Sequence, residues 1–292
     1  MENDARSSEL QALVSLIDDP DHKVFLEISE RIEGYGSFAL PYLQKAWYDC
    51  FDEQVRERIS ALKLKINFTL VSQELSDAFD DNFNDLLGAW ISLSRLEYPE
   101  IVENEIRFEF NNIRKAIWIE LNPNLTALEQ IKVFNYVFFD IQGFAGNVEN
   151  LGLPDNFYIN TLLKTRLGDP VSLSTLYMIL AQSLNLPVFG VNIPDHFVLA
   201  YTGKSYNQAS MLMEDNKVLF YINPFGRGQV FSSPEIEKYL SRIRLEPSPV
   251  HFNPCTNNDI FLRLIDNLIR TYDRELNRSF SDFLRSARQR LV

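Results

Sequence analysis

Three side chains in the second half of the sequence could carry out chemistry, namely His196, Ser172 and Ser174. The histidine starts a predicted strand, and imidazole is the side chain that ordinarily titrates near neutral pH. It could be a catalytic or binding group, or a hydrogen-bonded residue that fixes two strands, and both interpretations stay open. The serines follow Pro170 in the first turn of a predicted helix. A hydroxyl beside a base can become a nucleophile, but a serine at a helix start more often bonds to its own backbone.

The other thiols and imidazoles are scattered along the chain. Cys50 and Cys255 form no C-x-x-C pair, and His22 and His251 have no neighbours with metal-ligand spacing. We therefore expect no disulfide framework, no metal and no cofactor. We also expect His22 and His251 to be ordinary surface residues.

Composition and charge limit the classes of function. Of 292 residues, 46% are hydrophobic and 13% aromatic, which predicts a substantial core in one large or two moderate domains. A net charge of -12 repels phosphate backbones and anionic lipids, so we expect no nucleic-acid and no membrane binding. The polar N-terminus and the lack of a long apolar window predict a cytoplasmic location. The sequence does not indicate an oligomeric state.

Glycine and proline divide the chain into two unlike halves. Only three of the 11 glycines and four of the 13 prolines precede residue 140. Because both residues interrupt helices, the first half should be largely helical and the second should contain turns and strands.

Residues 1–75 contain a weak internal repeat. The acidic segment 18–20 precedes a helical apolar pattern, a turn follows at 34–36, and Pro41 opens the next helix. Asp52 begins a partial second copy. The pattern resembles HEAT-type helical hairpins, whose stacked faces often bind peptides or proteins. An ordinary helical bundle explains it equally well.

The second half predicts an α+β arrangement. Thr126 and Glu129 form a capping box, and Asp169 and Pro170 suit the cap and first residue of a helix. Alternating apolar residues predict short strands. The predicted helices are 101–121, 156–166, 170–184 and one from Asp259, and the predicted strands are 188–191, 196–201 and 218–222.

Five motifs in the segment from about 80 to 270 resemble the SirB-type branch of the transglutaminase-like superfamily. They occur in the family's order, which makes the set more specific than any single motif. They are Gly143-Phe144-Ala145-Gly146-Asn147, the helix start at Asn156, the run from Arg166 to Ser174, Pro194-Asp195-His196-Phe197 and Asn223-Pro224-Phe225.

The resemblance implies a papain-like layout with a nucleophile at the start of a buried helix. It places Pro170 at the position of the family's cysteine, His196 at the base and Asn223 at the orienting acid. Proline supplies no thiol, so a thiolate mechanism fails on residue type. A divergent hydrolase or acyltransferase using Ser172 or Ser174 with His196 and Asn223 is the alternative.

We therefore predict a mostly helical α+β protein. A HEAT-like region (1–75) precedes a transglutaminase-like domain (76–292), which has a helical lead-in (76–141), a core with a small antiparallel sheet (142–232) and a C-terminal helical segment (233–292). The predicted function is a non-catalytic binding, scaffold or regulatory protein with a protein or peptide partner. The predicted binding cleft consists of Arg166, Pro170, Asp195, His196 and Asn223.

Overall fold

Helices make up 64% of the chain as the structure describes it, and the fold includes a small antiparallel sheet. The computed structural model describes residues 2–194, 196–203 and 218–291. The chain divides into two units, residues 1–75 with 95–99, and residues 76–94 with 100–292. Among the described helices, none combines the length and apolarity that a membrane span requires.

The helices of the N-terminal unit begin and end at recognisable signals. Asp21 caps the second helix by accepting a hydrogen bond from the backbone N–H of Lys23 (2.9 Å), and Gly34 follows its last residue. Pro41 lies in the first turn of the third helix, where its missing N–H costs nothing. The helices are α1 (Glu2–Val14), α2 (His22–Glu33), α3 (Leu40–Asp49) and α4 (Glu53–Asp80), the last of which continues beyond the boundary at residue 75.

Aliphatic side chains from all four helices form the core of this unit. Arg58 of α4 closes one end by donating to the carbonyl oxygens of Ile17 (3.0 Å) and Asp19 (2.8 Å), which follow α1. The buried members of the core include Leu10, Ile32, Leu43, Ile59 and Leu62.

The second unit contains the remaining helices. The predicted capping box is confirmed, since Glu129 N–H donates to Thr126 and the Glu129 carboxylate accepts from Thr126 N–H at 2.8 Å. These helices are α5 (Leu86–Ser94), α6 (Glu103–Glu120), α7 (Ala127–Asn135), α8 (Ile159–Thr165), α9 (Pro170–Ser183), α10 (Ser233–Arg242), α11 (Asn257–Arg274) and α12 (Arg278–Arg290).

Two sheets accompany these helices. A short parallel pair joins β1 (Ala145–Gly146) to β2 (Leu167–Gly168) directly before α9. The four-stranded antiparallel sheet has the strands in chain order, and it consists of β3 (Val188–Ile193), β4 (His196–Thr202), β5 (Val218–Asn223) and β6 (Gln229–Phe231).

The two faces of the antiparallel sheet pack on different helices, because successive side chains of a strand point to opposite faces. One face, here named the α10 face, carries Val198 and Ala200, which cluster with Ile236 of α10. The other, the α9 face, carries Phe197, whose ring lies 5.4 Å from the guanidinium of Arg263 in α11. Helix α9 packs against β3 and β4 on this second face.

The predicted start of α9 is confirmed, and the strands lie within two residues of their predicted ends. Two predictions are wrong. Residues 156–166 do not form one helix, because Tyr158 is extended (φ -95°, ψ 131°) and separates a 3₁₀ turn from α8. His251 is not a surface residue: it is 8% exposed, and its Nδ1 accepts a hydrogen bond from Ser248 N–H (3.1 Å).

Candidate functional site

A cavity of about 600 Å³ opens at the start of α9. Its walls come from the first turn of α9, the ends of β3 and β4, one side of α11 and a residue of α12. The apolar lining residues are Pro170, Val171, Pro194, Phe197 and Leu262; the polar ones are Asp169, Asn192, Asp259, Arg263, Asp266, Asn267, Arg270 and Arg288.

Asp169 and Pro170 shape the inner end of the cavity. The Asp169 carboxylate accepts a hydrogen bond from Val171 N–H (3.0 Å) and caps α9, and Pro170 takes the first helical position. Proline suits this position because its φ is preset and no donor is lost. At the place where the resemblance puts the cysteine, the wall is therefore a pyrrolidine ring.

Burial governs the protonation of Asp169. It raises the pKa of this carboxyl from 3.8 to about 6, against the smaller lowering effects of the Val171 N–H and the charge of Arg263. A carboxylate that loses water without gaining a direct counterion is shifted in this direction. Asp169 is therefore mostly ionised at pH 7.5, but its ionised form is less stable than that of an exposed aspartate.

The two candidate serines are fully buried and bonded to the backbone. Ser172 completes the cap of α9: its hydroxyl accepts from Asp169 N–H (2.9 Å) and donates to the Asp169 carbonyl (3.2 Å). The hydroxyl of Ser174 donates to the Phe197 carbonyl (3.4 Å). Neither serine hydrogen-bonds to an imidazole within the described chain.

His196 lies at the exposed start of β4, on the α10 face. It pairs in register with Ile193, a member of the α10-face cluster, and its ring meets Tyr239 of α10 edge-on with centroids 4.7 Å apart. Its carbonyl oxygen accepts a hydrogen bond from Arg263 of α11 (2.8 Å). The sheet backbone thus separates the imidazole from the start of α9.

The other predicted cleft residues also lie apart from the cavity lining. Asn223 ends β5, and its side-chain oxygen accepts from Gly226 N–H (3.1 Å), which stabilises the turn into β6. Arg166 follows α8, forms an ion pair with Glu109 of α6 and lies over the ring of Phe144. Asp195 lies outside the described residues.

Arg263 ties the ends of β3 and β4 to α11. Its guanidinium donates to Asn192 Oδ1 (2.8 Å), the Ile193 carbonyl (3.2 Å) and the His196 carbonyl (2.8 Å). Three such bonds fix the cavity wall opposite Asp169, and the positive charge is close enough to lower the pKa of that carboxyl.

The outer wall of the cavity is a polar stripe along α11. Asp266 forms an ion pair with Arg288 of α12, which raises the pKa of that arginine. Asn267, the next residue, and Arg270, one turn further along α11, also line the cavity. This stripe was not among the predicted site residues, although its polar residues recur every three or four positions in an amphipathic helix, which is a signal visible in the sequence.

Neither thiol lies in the cavity wall. Cys255 is buried, its N–H donates to the Gly190 carbonyl (2.8 Å), and burial raises the pKa of its thiol to about 12. Cys50 belongs to the N-terminal unit, where its thiol donates to the Asp52 carbonyl (3.6 Å). No cluster of three metal-ligating side chains occurs among residues 2–194, 196–203 and 218–291.

The site is therefore a concave pocket with mixed charge, apolar patches and fixed walls. A pocket of several hundred Å³ that combines apolar surface with a few convergent polar groups is typical of ligand binding. Its described lining offers charged and amide groups for recognition, with Pro170 at the helix start.

The family comparison agrees with this architecture. Residues 104–266, more than half of the chain, match the model of the transglutaminase-like superfamily. The chain belongs to the transglutaminase-like superfamily. No solved structure matches the chain.

Several curated relatives share this segment. A UPF0162 protein from Xylella fastidiosa is 25% identical over 200 residues, 66% of both chains. A UPF0162 protein from Pasteurella multocida is 31% identical over 117 residues, 40% of this chain and 44% of the relative. F-box only protein 21 from Mus musculus is 28% identical over 145 residues, 50% of this chain and 22% of the relative. The chain thus spans just under two thirds, or less, of the lengths of these relatives.

Proposed function

We propose that the chain is a non-catalytic binding protein whose cavity at the start of α9 takes a peptide segment of a protein partner. The observation that carries this proposal is Pro170 at the first position of α9, in the cavity wall. Acyl transfer needs a thiolate or an activated hydroxyl at that place, and a pyrrolidine ring is neither. The cavity keeps its polar lining and walls without a nucleophile.

The serine alternative has less support. Ser172 and Ser174 bond to backbone groups, and His196 faces α10 across the sheet. A hydroxyl becomes a nucleophile when a base accepts its proton at hydrogen-bond distance. Reaching that geometry would require a rearrangement of β4 relative to α9.

We also propose a more specific family branch and domain organisation for the chain. The five ordered motifs support the SirB-type branch, whose name alone suggests a regulatory role. The division of the chain near residue 75 supports the boundary between 1–75 and 76–292. The caps, turn and partial repeat of residues 18–59 support HEAT-like hairpins. An experimental structure in which α2, α3 and α4 stack with a constant rotation would support the hairpins; an irregular bundle would contradict them. We also propose a cytoplasmic location, consistent with the acidic composition.

A reactive probe tests the non-catalytic part. The full chain is incubated with a fluorophosphonate at neutral pH, with a known serine hydrolase as the positive control. We expect no labelling. Labelling that His196→Ala abolishes would overturn the proposal in favour of the serine mechanism, and labelling lost in Ser172→Ala or Ser174→Ala would identify the nucleophile.

A steric block tests the peptide-binding part. We would screen a library of fluorescent, end-blocked hexapeptides against the full chain and repeat the best binders with Asn267→Trp, which places an indole in the cavity. Binding should fall at least tenfold. Arg274→Trp, on α11 but outside the cavity lining, should bind as the wild type does. If no hexapeptide binds, or if both variants bind unchanged, the cavity is not the peptide site.

A further inference from the structure

Two charged groups of the cavity lining, Asp169 and Arg270, form no ion pair within the part of the chain that the structure describes. The Asp169 carboxylate accepts hydrogen bonds from backbone N–H groups at the start of α9, from Val171 (3.0 Å) and, in the capping box, from Ser172. Arg270 is exposed at the rim of the cavity and has no hydrogen bond to a described residue. These two groups carry opposite charges in one pocket.

Other charges of the lining are already engaged by the protein. Asp266 is paired with Arg288. The carboxylate of Asp259 accepts from the N–H (2.8 Å) and hydroxyl (2.7 Å) of Thr256 and caps α11. Each of these contacts contributes to the structure of α11 or α12. A ligand that bound Asp266 or Arg288 would compete with their ion pair. Arg270 has no such pair to lose, and Asp169 can keep its bonds to the helix start while its remaining lone pairs accept from a ligand.

Resting on the function proposed above, we infer that the cavity binds a peptide segment carrying both a basic and an acidic side chain, the basic group at Asp169 and the acidic group at Arg270. Carboxylate–ammonium and carboxylate–guanidinium contacts are the strong class of hydrogen bonds. A volume of about 600 Å³ lies in the range of pockets that enclose ligands of this size. Apolar groups such as Pro170 and Leu262 can cover the aliphatic parts of both side chains.

The surroundings disfavour a ligand with charge of one sign. A purely acidic peptide meets a protein with a net charge of -12 and leaves Asp169 buried beneath it. A purely basic peptide approaches Arg263 and Arg270 at close range. A segment with both charges avoids each penalty, and charge patterns of this kind set specificity more than affinity.

A matched peptide set tests the inference. End-blocked hexapeptides would contain one lysine and one glutamate separated by one, two or three glycines. The reference peptides would have the same length with lysine only, glutamate only, or neither. Fluorescence anisotropy at pH 7.5 and low salt should show at least tenfold tighter binding of one mixed peptide than of any reference, because each charged contact typically changes affinity by about that factor.

Two variants assign the charges. Asp169→Asn keeps a cap for α9 and should weaken the mixed peptide about tenfold while leaving the glutamate-only peptide unchanged. Arg270→Gln should do the converse and leave the lysine-only peptide unchanged. Asp21→Asn, which changes the cap of α2 in the other unit, and Arg274→Gln, outside the lining, are the matched controls. Equal binding of mixed and single-charge peptides, or equal losses in test and control variants, would overturn the inference.

The outcomes separate this inference from the proposed function. If peptides bind regardless of their charge and Asn267→Trp abolishes this binding, the proposed binding function is supported and the proposed charge selectivity is contradicted. If the fluorophosphonate labels the protein but the mixed peptide still binds more tightly than the references, the non-catalytic function is contradicted and the charge selectivity is supported. A cavity that binds none of the peptides contradicts both.

Discussion

The two faces of the antiparallel sheet present different chemistry, although His196 and Phe197 are neighbours in the chain. On the α9 face, Phe197 closes a cavity beside Asp169 and Arg263. On the α10 face, His196 contacts Tyr239, and its neighbours Val198 and Ala200 pack on α10. One step along a strand moves a side chain to the opposite face. A histidine in a family motif therefore need not face the helix that the motif implies.

The comparison also separates a binding surface from a catalytic one. The α9 face has the concavity and the charged lining, while the titratable imidazole is on the other side of the backbone. Arg263 joins the two faces, because it contacts Phe197 through its guanidinium and the carbonyl oxygens at the β3–β4 turn. Substitutions on each side of the strand should consequently have different effects.

The largest difference should come from Phe197→Ala against Val198→Ala. Phe197 is 2% exposed and Val198 5% exposed, but the Phe197 side chain is larger and also lines the cavity. We expect Phe197→Ala to lower the free energy of unfolding by about 3–5 kcal/mol and Val198→Ala by about 1–2 kcal/mol. Urea unfolding followed by circular dichroism measures both. Equal losses would mean that the α10 face supports the sheet as strongly as the α9 face does.

Removal of the link between the faces should have the next largest effect. Arg263→Met keeps the aliphatic stem but leaves three oxygens without their donor. We expect the free energy of unfolding to fall by about 2–3 kcal/mol, since three hydrogen bonds from a charged donor to partly buried or exposed oxygens are lost. Arg274→Met, at the end of the same helix, should change it by less than about 0.5 kcal/mol. If the two variants unfold at the same urea concentration, Arg263 does not stabilise the fold through these hydrogen bonds.

A smaller effect should appear as a pH dependence of Asp169→Asn. The folded pKa of Asp169, about 6, lies above the ordinary 3.8, so folding favours the protonated carboxyl. The protonated Asp169 carboxyl therefore stabilises the fold fully below pH 4, and this contribution is lost as the pH rises through 6. Asparagine stays neutral and can cap the helix. The variant should match the wild type at pH 4 and exceed its free energy of unfolding by about 1–3 kcal/mol at pH 7.5.

Urea titrations at both pH values measure this difference, with Asp21→Asn as the control. Asp21 is an exposed helix cap, so asparagine there should give no gain at pH 7.5. A variant at Asp169 that is less stable than the wild type at pH 7.5 would show that the ionised carboxylate is favoured in the folded state.

Local signals in the sequence were sufficient for much of the fold. The capping box at Thr126 and the Asp169-Pro170 helix start depend on side chains within three residues of one another, and both occur as predicted. The strand ends were found because alternation and turn residues are also local. The break at Tyr158 and the burial of His251 were missed because each depends on packing against residues distant in sequence.

The candidate site was harder to predict for the same reason. The cavity combines the start of α9 with a stripe of α11, including Arg263 and Arg270, nearly a hundred residues later. Nothing in either segment alone indicates that they face each other. The motif comparison identified the start of α9 but could not give the side of the strand on which His196 lies, because that depends on the register of the β3–β4 hairpin.

The smallest effect should come from His196→Ala. The imidazole is exposed and meets the ring of Tyr239 edge-on, and such a ring contact is worth less than about 1 kcal/mol at the surface. Because the ring lies on the α10 face, we expect peptide binding in the cavity to change less than twofold, whereas Asp169→Asn weakens it about tenfold. Titration of the best mixed peptide against both variants measures this. If His196→Ala weakens peptide binding as strongly as Asp169→Asn does, the imidazole contacts the bound peptide. The two faces of the sheet would then not be separated at His196, the residue that would have to act as the base.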